Sequence, residues 1–274
     1  MKKWIGLIVV LISLAGYYID FDLGITSAAV VNSYISDSGS LEVYMCPGEC
    51  EERLVGFLDS ATTSIDCALF DVGLESVQEA LLRSDIPVRV VTDNDYIHKF
   101  DHPFVRADKS GLMHNKFCIV DGKMVSTGSM NPTSNGANKN NNNLLLISSS
   151  AIATNYQDEF DEMWNGTFKK GNLVRNPSVN LDGVKIETYF CPEDRCADRI
   201  KEELKKATSS IKFMTFSFTH EGIANILMMK HVDGLDVEGV MEARQVSKYS
   251  QMMRLNTSGI DVVKDGNKNN MHHK

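Results

Sequence analysis

The chain has 274 residues, 43% of them hydrophobic and 23% charged, with a net charge of −8 at neutral pH. That composition is globular, and the length accommodates one large or two smaller domains with a sizeable core. The acidic balance argues against a surface that tracks many nucleic-acid phosphates, though it leaves room for a local basic cleft.

Met1-Lys2-Lys3 and the apolar run from Trp4 to Ile19, closed by Asp20, form a positive flank and a hydrophobic segment. This predicts an N-terminal hydrophobic helix, a signal anchor or signal peptide over residues 1–30, with Trp4, Tyr17 and Tyr18 at membrane interfaces. No small-x-small site follows directly, although Thr26-Ser27-Ala28-Ala29 is a later cleavage candidate, so an uncleaved anchor with the body outside the cytoplasm is favoured. Residues 31–40 are Ser-rich and read as a linker.

A first α/β lobe is expected over residues 41–170. Strands are read at Leu41–Met45, Ile65–Phe70 and Val88–Thr92, with helices at Cys50–Ala61 and Leu74–Leu82 between them. An Asn-rich loop at Asn135–Asn143, a strand at Leu144–Ile147 and a helix at Ala151–Trp164 close it. After a linker at 171–183 the pattern repeats over 184–274. Tyr44-Met45-Cys46-Pro47 returns as Tyr189-Phe190-Cys191-Pro192, and Leu58 to Ile65 as Leu204 to Ile211. Phe70-Asp71-Val72 has its counterpart in Phe216-Ser217-Phe218, Val88–Val91 in Val237–Val240, and Met113-His114-Asn115-Lys116 in Met271-His272-His273-Lys274. So ordered a self-match implies duplication. The second copy stops at its His-x-Lys and is expected to be C-terminally truncated, with an extra helix around Ala243–Leu255. Cys46/Cys50 and Cys191/Cys196 are candidate local disulfides in an exported protein, ahead of a four-cysteine zinc site; Cys67 and Cys118 read as small buried hydrophobes.

The chemistry concentrates between Met113 and Asn131. His114 and Lys116 project from one face of a predicted strand, Asp121-Gly122 turns it, and Gly128-Ser129-Met130-Asn131 returns beside His114. An imidazole, an ammonium, a hydroxyl and an amide in one hollow suit a tetrahedral phosphate.

His114-x-Lys116, then Asp121, then Gly128-Ser129-x-Asn131 resembles, in every spacing, the signature of the phospholipase D superfamily. The resemblance implies two similar α/β sandwich lobes related by a pseudo-twofold axis, the second incomplete here, with a homodimer as another way to complete it. It implies a phosphodiesterase in which His114 is the nucleophile and His272 the acid/base. Lys116, Lys274 and Asn131 would bind phosphate oxygens with Ser129 close by, and no metal or other cofactor would be required. Asp121 belongs to the signature, but at the start of the turn its role reads as structural. Family members often carry a His-orienting Glu before the Asn-Leu strand; Asn142 stands there instead, which would weaken the charge support. His98, His102, His220 and His231 read as surface residues, with His220 able to reach the cleft from a strand end. Phospholipid head groups are favoured as substrate by the apparent anchor; a metal-independent endonuclease and a catalytically weak phosphate-binding module are the alternatives.

Overall fold

The computed structural model describes residues 35–109 and 111–274. The N-terminal apolar run lies outside the described residues. Among those described, no helix is long and apolar enough to cross a membrane.

The largest layer is a seven-stranded mixed sheet in the order β2-β8-β7-β6-β3-β4-β5. Its strands are β2 (Ser40–Cys46), β3 (Ile65–Leu69), β4 (Val88–Thr92), β5 (Val105–Ala107), β6 (Lys116–Val120), β7 (Met124–Gly128) and β8 (Asn142–Ser148). Central β3 and β6 are buried at every position, which is why they read as continuous apolar runs rather than alternating ones. Helices α1 (Cys50–Asp59) and α2 (Glu75–Leu82) cover one face through Leu54, Leu58, Val77 and Leu81, packed on Cys67 and Val90. A short helix, α3 (Ser134–Asn138), occupies part of the expected Asn-rich loop, started by Thr133, whose side chain accepts from Gly136 N. The other face carries α4 (Ser150–Trp164), capped by Ser149, whose hydroxyl accepts from Ile152 N at 3.2 Å. Its stripe Ile152, Tyr156, Phe160 and Trp164 packs on Ala68, Val91, Phe117 and Ile119. Phe160 is 0% exposed, so Phe160→Ala is expected to lower unfolding free energy by about 3–5 kcal/mol, read from the urea midpoint at unchanged slope.

One expectation is corrected here. Cys67 and Cys118 are not free hydrophobes; they are joined by a disulfide. They are directly opposed in the antiparallel β3–β6 pair with Cα atoms 4.0 Å apart, a register that no local pattern reveals. Cys46–Cys50 and Cys191–Cys196 are disulfides as read. Asp121 lies at the far end of β6 from His114 and takes no part in the site. With φ at 56° it turns the hairpin and accepts from the backbone N–H groups of Thr62, Thr63 and Ser64 and from both threonine hydroxyls. Burial opposes its charge, but the bonds from Thr63, Thr62 and Ser64 prevail and hold the carboxyl below the usual range. Its folded pKa being depressed, the stability it contributes is present above the ordinary carboxylate range and lost as pH falls through it. Asp121→Ala is expected to cost about 1 kcal/mol, by the net value of such bonds at a half-open position, and to leave phosphate-site chemistry intact.

The segments read as linkers are built into a small sheet. β1 (Ile35–Asp37) pairs in parallel with β9 (Ser178–Leu181), which pairs antiparallel with β10 (Val184–Glu187). The tether and the 171–183 linker therefore hold each other.

Beyond β10 comes a third sheet, all parallel, in the order β11 (Ser210–Thr215), β12 (Asp236–Met241), β13 (Asp261–Lys264). It has the same sense as β3, β4 and β5. Helices α5 (Cys196–Lys206), α6 (Glu221–Val232) and α7 (Met252–Thr257) accompany it, around Ile211, Leu227, Val237 and Leu255. The helix expected over Ala243–Leu255 is instead one 3₁₀ turn at Ala243–Gln245 and the shorter α7.

Candidate active site

Gly128 explains how the loop after β7 is shaped. Its φ is 136°, and a Cβ there would lie 2.5 Å from the Asn143 carbonyl oxygen. Only glycine permits that approach. It lets Ser129 N donate to Asn143 Oδ1 at 2.9 Å and to Asn143 O at 3.1 Å, locking the Gly-Ser-x-Asn turn onto the start of β8. Ser129 is 3% exposed and its hydroxyl is committed, donating to Asn142 Oδ1 at 2.9 Å and accepting from Asn143 N at 3.0 Å. Expected as a residue beside phosphate, it is a support of the pocket wall.

Asn142, 0% exposed, is the hub. Its amide Nδ2 donates to Gly136 O at 2.9 Å, so Oδ1 is the acceptor side, and it faces His272 Nδ1 at 2.9 Å. Ser129 O lies 3.2 Å from the same ring nitrogen. Two acceptors on Nδ1 put the proton there and leave the lone pair on Nε2. A residue of the first sheet thus orients the histidine of the second motif. Lys274 Nζ lies 3.2 Å from His272 Nε2. Main-chain bonds seat the segment: Asn141 N donates to Asn270 O at 2.9 Å, and His272 N to Asn141 O at 2.8 Å.

The first motif sits opposite. Lys116, 9% exposed, donates to His114 O at 2.8 Å. The two motifs are within electrostatic reach of each other. Burial, then the charges of Lys116 and Lys274, push His114 down to about 3. Burial, then Lys274 and Lys116, push His272 to about 4. Burial lowers Lys274 to about 8; burial and then Lys274 lower Lys116 to about 7, against a pull from Asp71. Crowding these groups into a half-buried pocket disfavours the charged form of each. Asn131 Oδ1 is buried without a hydrogen-bond partner among the described residues.

His114 also lines a cleft of about 580 Å³ with Leu112, Phe168, Tyr189 and Phe190 on its walls. Glu159 on that wall is pushed up to about 7 by burial and by Glu193 and Glu162. Sequence reasoning missed this wall because its members come from the loop before β6, from α4 and the segment after it, and from the loop after β10. His220 does not join the phosphate hollow; it caps α6, its Nδ1 accepting from Ile223 N at 3.2 Å.

The family described as "Cardiolipin synthase, PLD-like domain" matches residues 54–164. Over that stretch the chain is similar to a phospholipase D-like domain. The mitochondrial cardiolipin hydrolase of Xenopus laevis is 38% identical over 125 residues, covering 41% of this chain and 60% of that protein. Its namesake in Chlamydomonas reinhardtii is 31% identical over 125 residues, covering 41% of this chain and 56% of that protein. The chain thus spans less than two thirds of the length of these relatives. In fold, it is similar to the phosphatidylserine synthase of Haemophilus influenzae, at a TM-score of 0.58 and 10% identity, over 84% of this chain and 74% of that one.

Proposed function

We propose that the protein is a metal-independent phosphodiesterase that cleaves phospholipid head-group esters through a phosphohistidine intermediate. The observation that carries this is the convergence of two His-x-Lys units, from separate sheets, with Asn142 fixing the ring of His272. In this reading the two lobes are duplicates about a pseudo-twofold axis; the matching strand order of β3-β4-β5 and β11-β12-β13 supports it.

His114 Nε2 attacks phosphorus and forms the P–N bond as the P–O bond to the leaving alcohol breaks. His272, protonated for that step, gives its Nε2 proton to the departing oxygen. Its freed Nε2 then takes a proton from water as the hydroxyl attacks phosphorus and the P–N bond breaks. Lys116, Lys274 and Asn131 hold the non-bridging oxygens, the ammoniums meeting the charge that builds on them. In the same reading the hydrophobic N-terminal run keeps the body against a bilayer, outside the cytoplasm, as the pairing of all six cysteines supports.

The purified protein is expected to hydrolyse bis(p-nitrophenyl) phosphate at an undiminished rate in EDTA, and to release head groups from cardiolipin or phosphatidylcholine vesicles faster than it cuts single-stranded DNA. Faster DNA cleavage would make it an endonuclease, and silence on every substrate would leave a phosphate-binding module. The pH dependence follows from the lysines. Their depressed values mean that the free site loses its cations as pH rises through about 7 and about 8. The alkaline limb of kcat/KM should therefore fall in that window, well below an ordinary lysine, with the loss appearing in KM.

A further inference from the structure

Each His-x-Lys unit rests on a phenylalanine that the signature does not include. Phe70 follows the last residue of β3. Its ring centre is 4.8 Å from that of His114 at 71°, and Lys116 Nζ lies over its face at 5.0 Å. Phe216 follows the last residue of β11 and repeats both contacts: 4.7 Å from His272 at 66°, with Lys274 Nζ at 4.6 Å. The backbone repeats as well. Phe70 N donates to Asn115 O at 2.8 Å, and Phe216 N to His273 O at 2.7 Å. In the matched triplets Phe70-Asp71-Val72 and Phe216-Ser217-Phe218 the ring is the residue kept at its position.

A cation that must receive an anionic ligand cannot be held by a carboxylate without competition. An aromatic face attracts an ammonium through its quadrupole yet carries no net charge, so the full positive charge stays available. The first motif displays the contrast. Asp71, the acid that Lys116 feels, is paired to Lys99 at 2.7 Å and so drawn off. Tyr96 backs Phe70, ring centres 4.7 Å apart.

We propose that Phe70 and Phe216 are positioning residues of the phosphate site, each holding the ammonium and imidazole of its own motif in place while leaving that cation uncompensated. This rests on the phosphodiesterase reading for its consequence in turnover, but the contact itself can be tested without it.

The test is 3,4,5-trifluorophenylalanine incorporated at 216, and separately at 70, in the full chain. Fluorination keeps the ring's shape and drains its face, so a merely space-filling role would not respond. Lysine titration is followed by NMR of side-chain-labelled protein, and kcat/KM by hydrolysis of bis(p-nitrophenyl) phosphate across pH. With fluorinated Phe216 the ammonium form of Lys274 loses support. Its midpoint should fall by about 0.5 pH unit or more, the alkaline limb following it, at unchanged melting temperature. Phe216→Tyr should restore the parent titration, and Phe70 should govern Lys116 in the same way. Unmoved lysine midpoints in the folded, fluorinated proteins would overturn the assignment. Midpoints that move in a protein without turnover would keep it and discard the phosphodiesterase instead.

Discussion

His114→Ala is expected to abolish p-nitrophenolate release from bis(p-nitrophenyl) phosphate, a loss of about 10³-fold or more. His272→Ala should behave differently. p-Nitrophenolate is a stabilised anion that departs without a proton, so attack by His114 can proceed with no acid at hand. The second step still needs a base to activate water. One equivalent of p-nitrophenolate per site should appear as a burst, followed by a stall with phosphorus bound to the enzyme. With an alkyl leaving group, which needs the proton, the same variant should show no burst. A burst from His114→Ala, or none from His272→Ala, would falsify the division of roles. His272→Ala also frees the buried Asn142 oxygen and both variants lose a ring contact to phenylalanine, so a melting curve accompanies each assay.

Asn142 gives the second large effect. Its one amide joins Ser129, His272 and Gly136 inside a fully buried spot. Asn142→Ala strands three polar partners at once. It should cost about 1–3 kcal/mol of stability and about 10–100-fold in kcat through a loosened His272 ring. Asn142→Asp separates orientation from charge. The carboxylate keeps the bonds to His272 and Ser129, loses the one donated to Gly136 O at a cost in stability, and stabilises the imidazolium, so the value of about 4 for His272 must rise. Because a raised imidazole holds its proton to higher pH, the alkaline limb that His272 sets as the acid for alkyl leaving groups should move upward. Turnover of alkyl phosphodiesters near neutrality, limited by protonation of the leaving oxygen, should improve. An alkaline limb that stays in place on those substrates would mean that His272 does not report the proton transfer.

Much of this was legible in the residues. Val88–Thr92 ends where the pattern ends because a Val- and Thr-rich run bounded by Pro87 and Asp93 admits few other readings. The His-x-Lys hairpin followed from fixed spacings, which a hairpin converts directly into distances, while the His-orienting place of Asn142 came from the family resemblance. Other features depended on register between distant strands. The Cys67–Cys118 bond spans 51 residues and exists only because β3 and β6 meet in one particular alignment. β1 and β9 are short and rich in Ser and Asn, so local propensity assigned them to linkers; pairing with each other overrode it. Phe70 and Phe216 were visible as a repeated letter. What they touch depended on where two strands end.

The hold of Asn142 on His272 makes the halves of this chain interdependent. The residue that aims the ring lies on β8, and the ring itself comes 130 positions later. A clean cut in the segment between α4 and β9 would sever no catalytic group, yet it would turn an intramolecular alignment into an encounter between two fragments. Their combined rate would then depend on concentration, with the β1–β9 ladder as the splint that keeps them together.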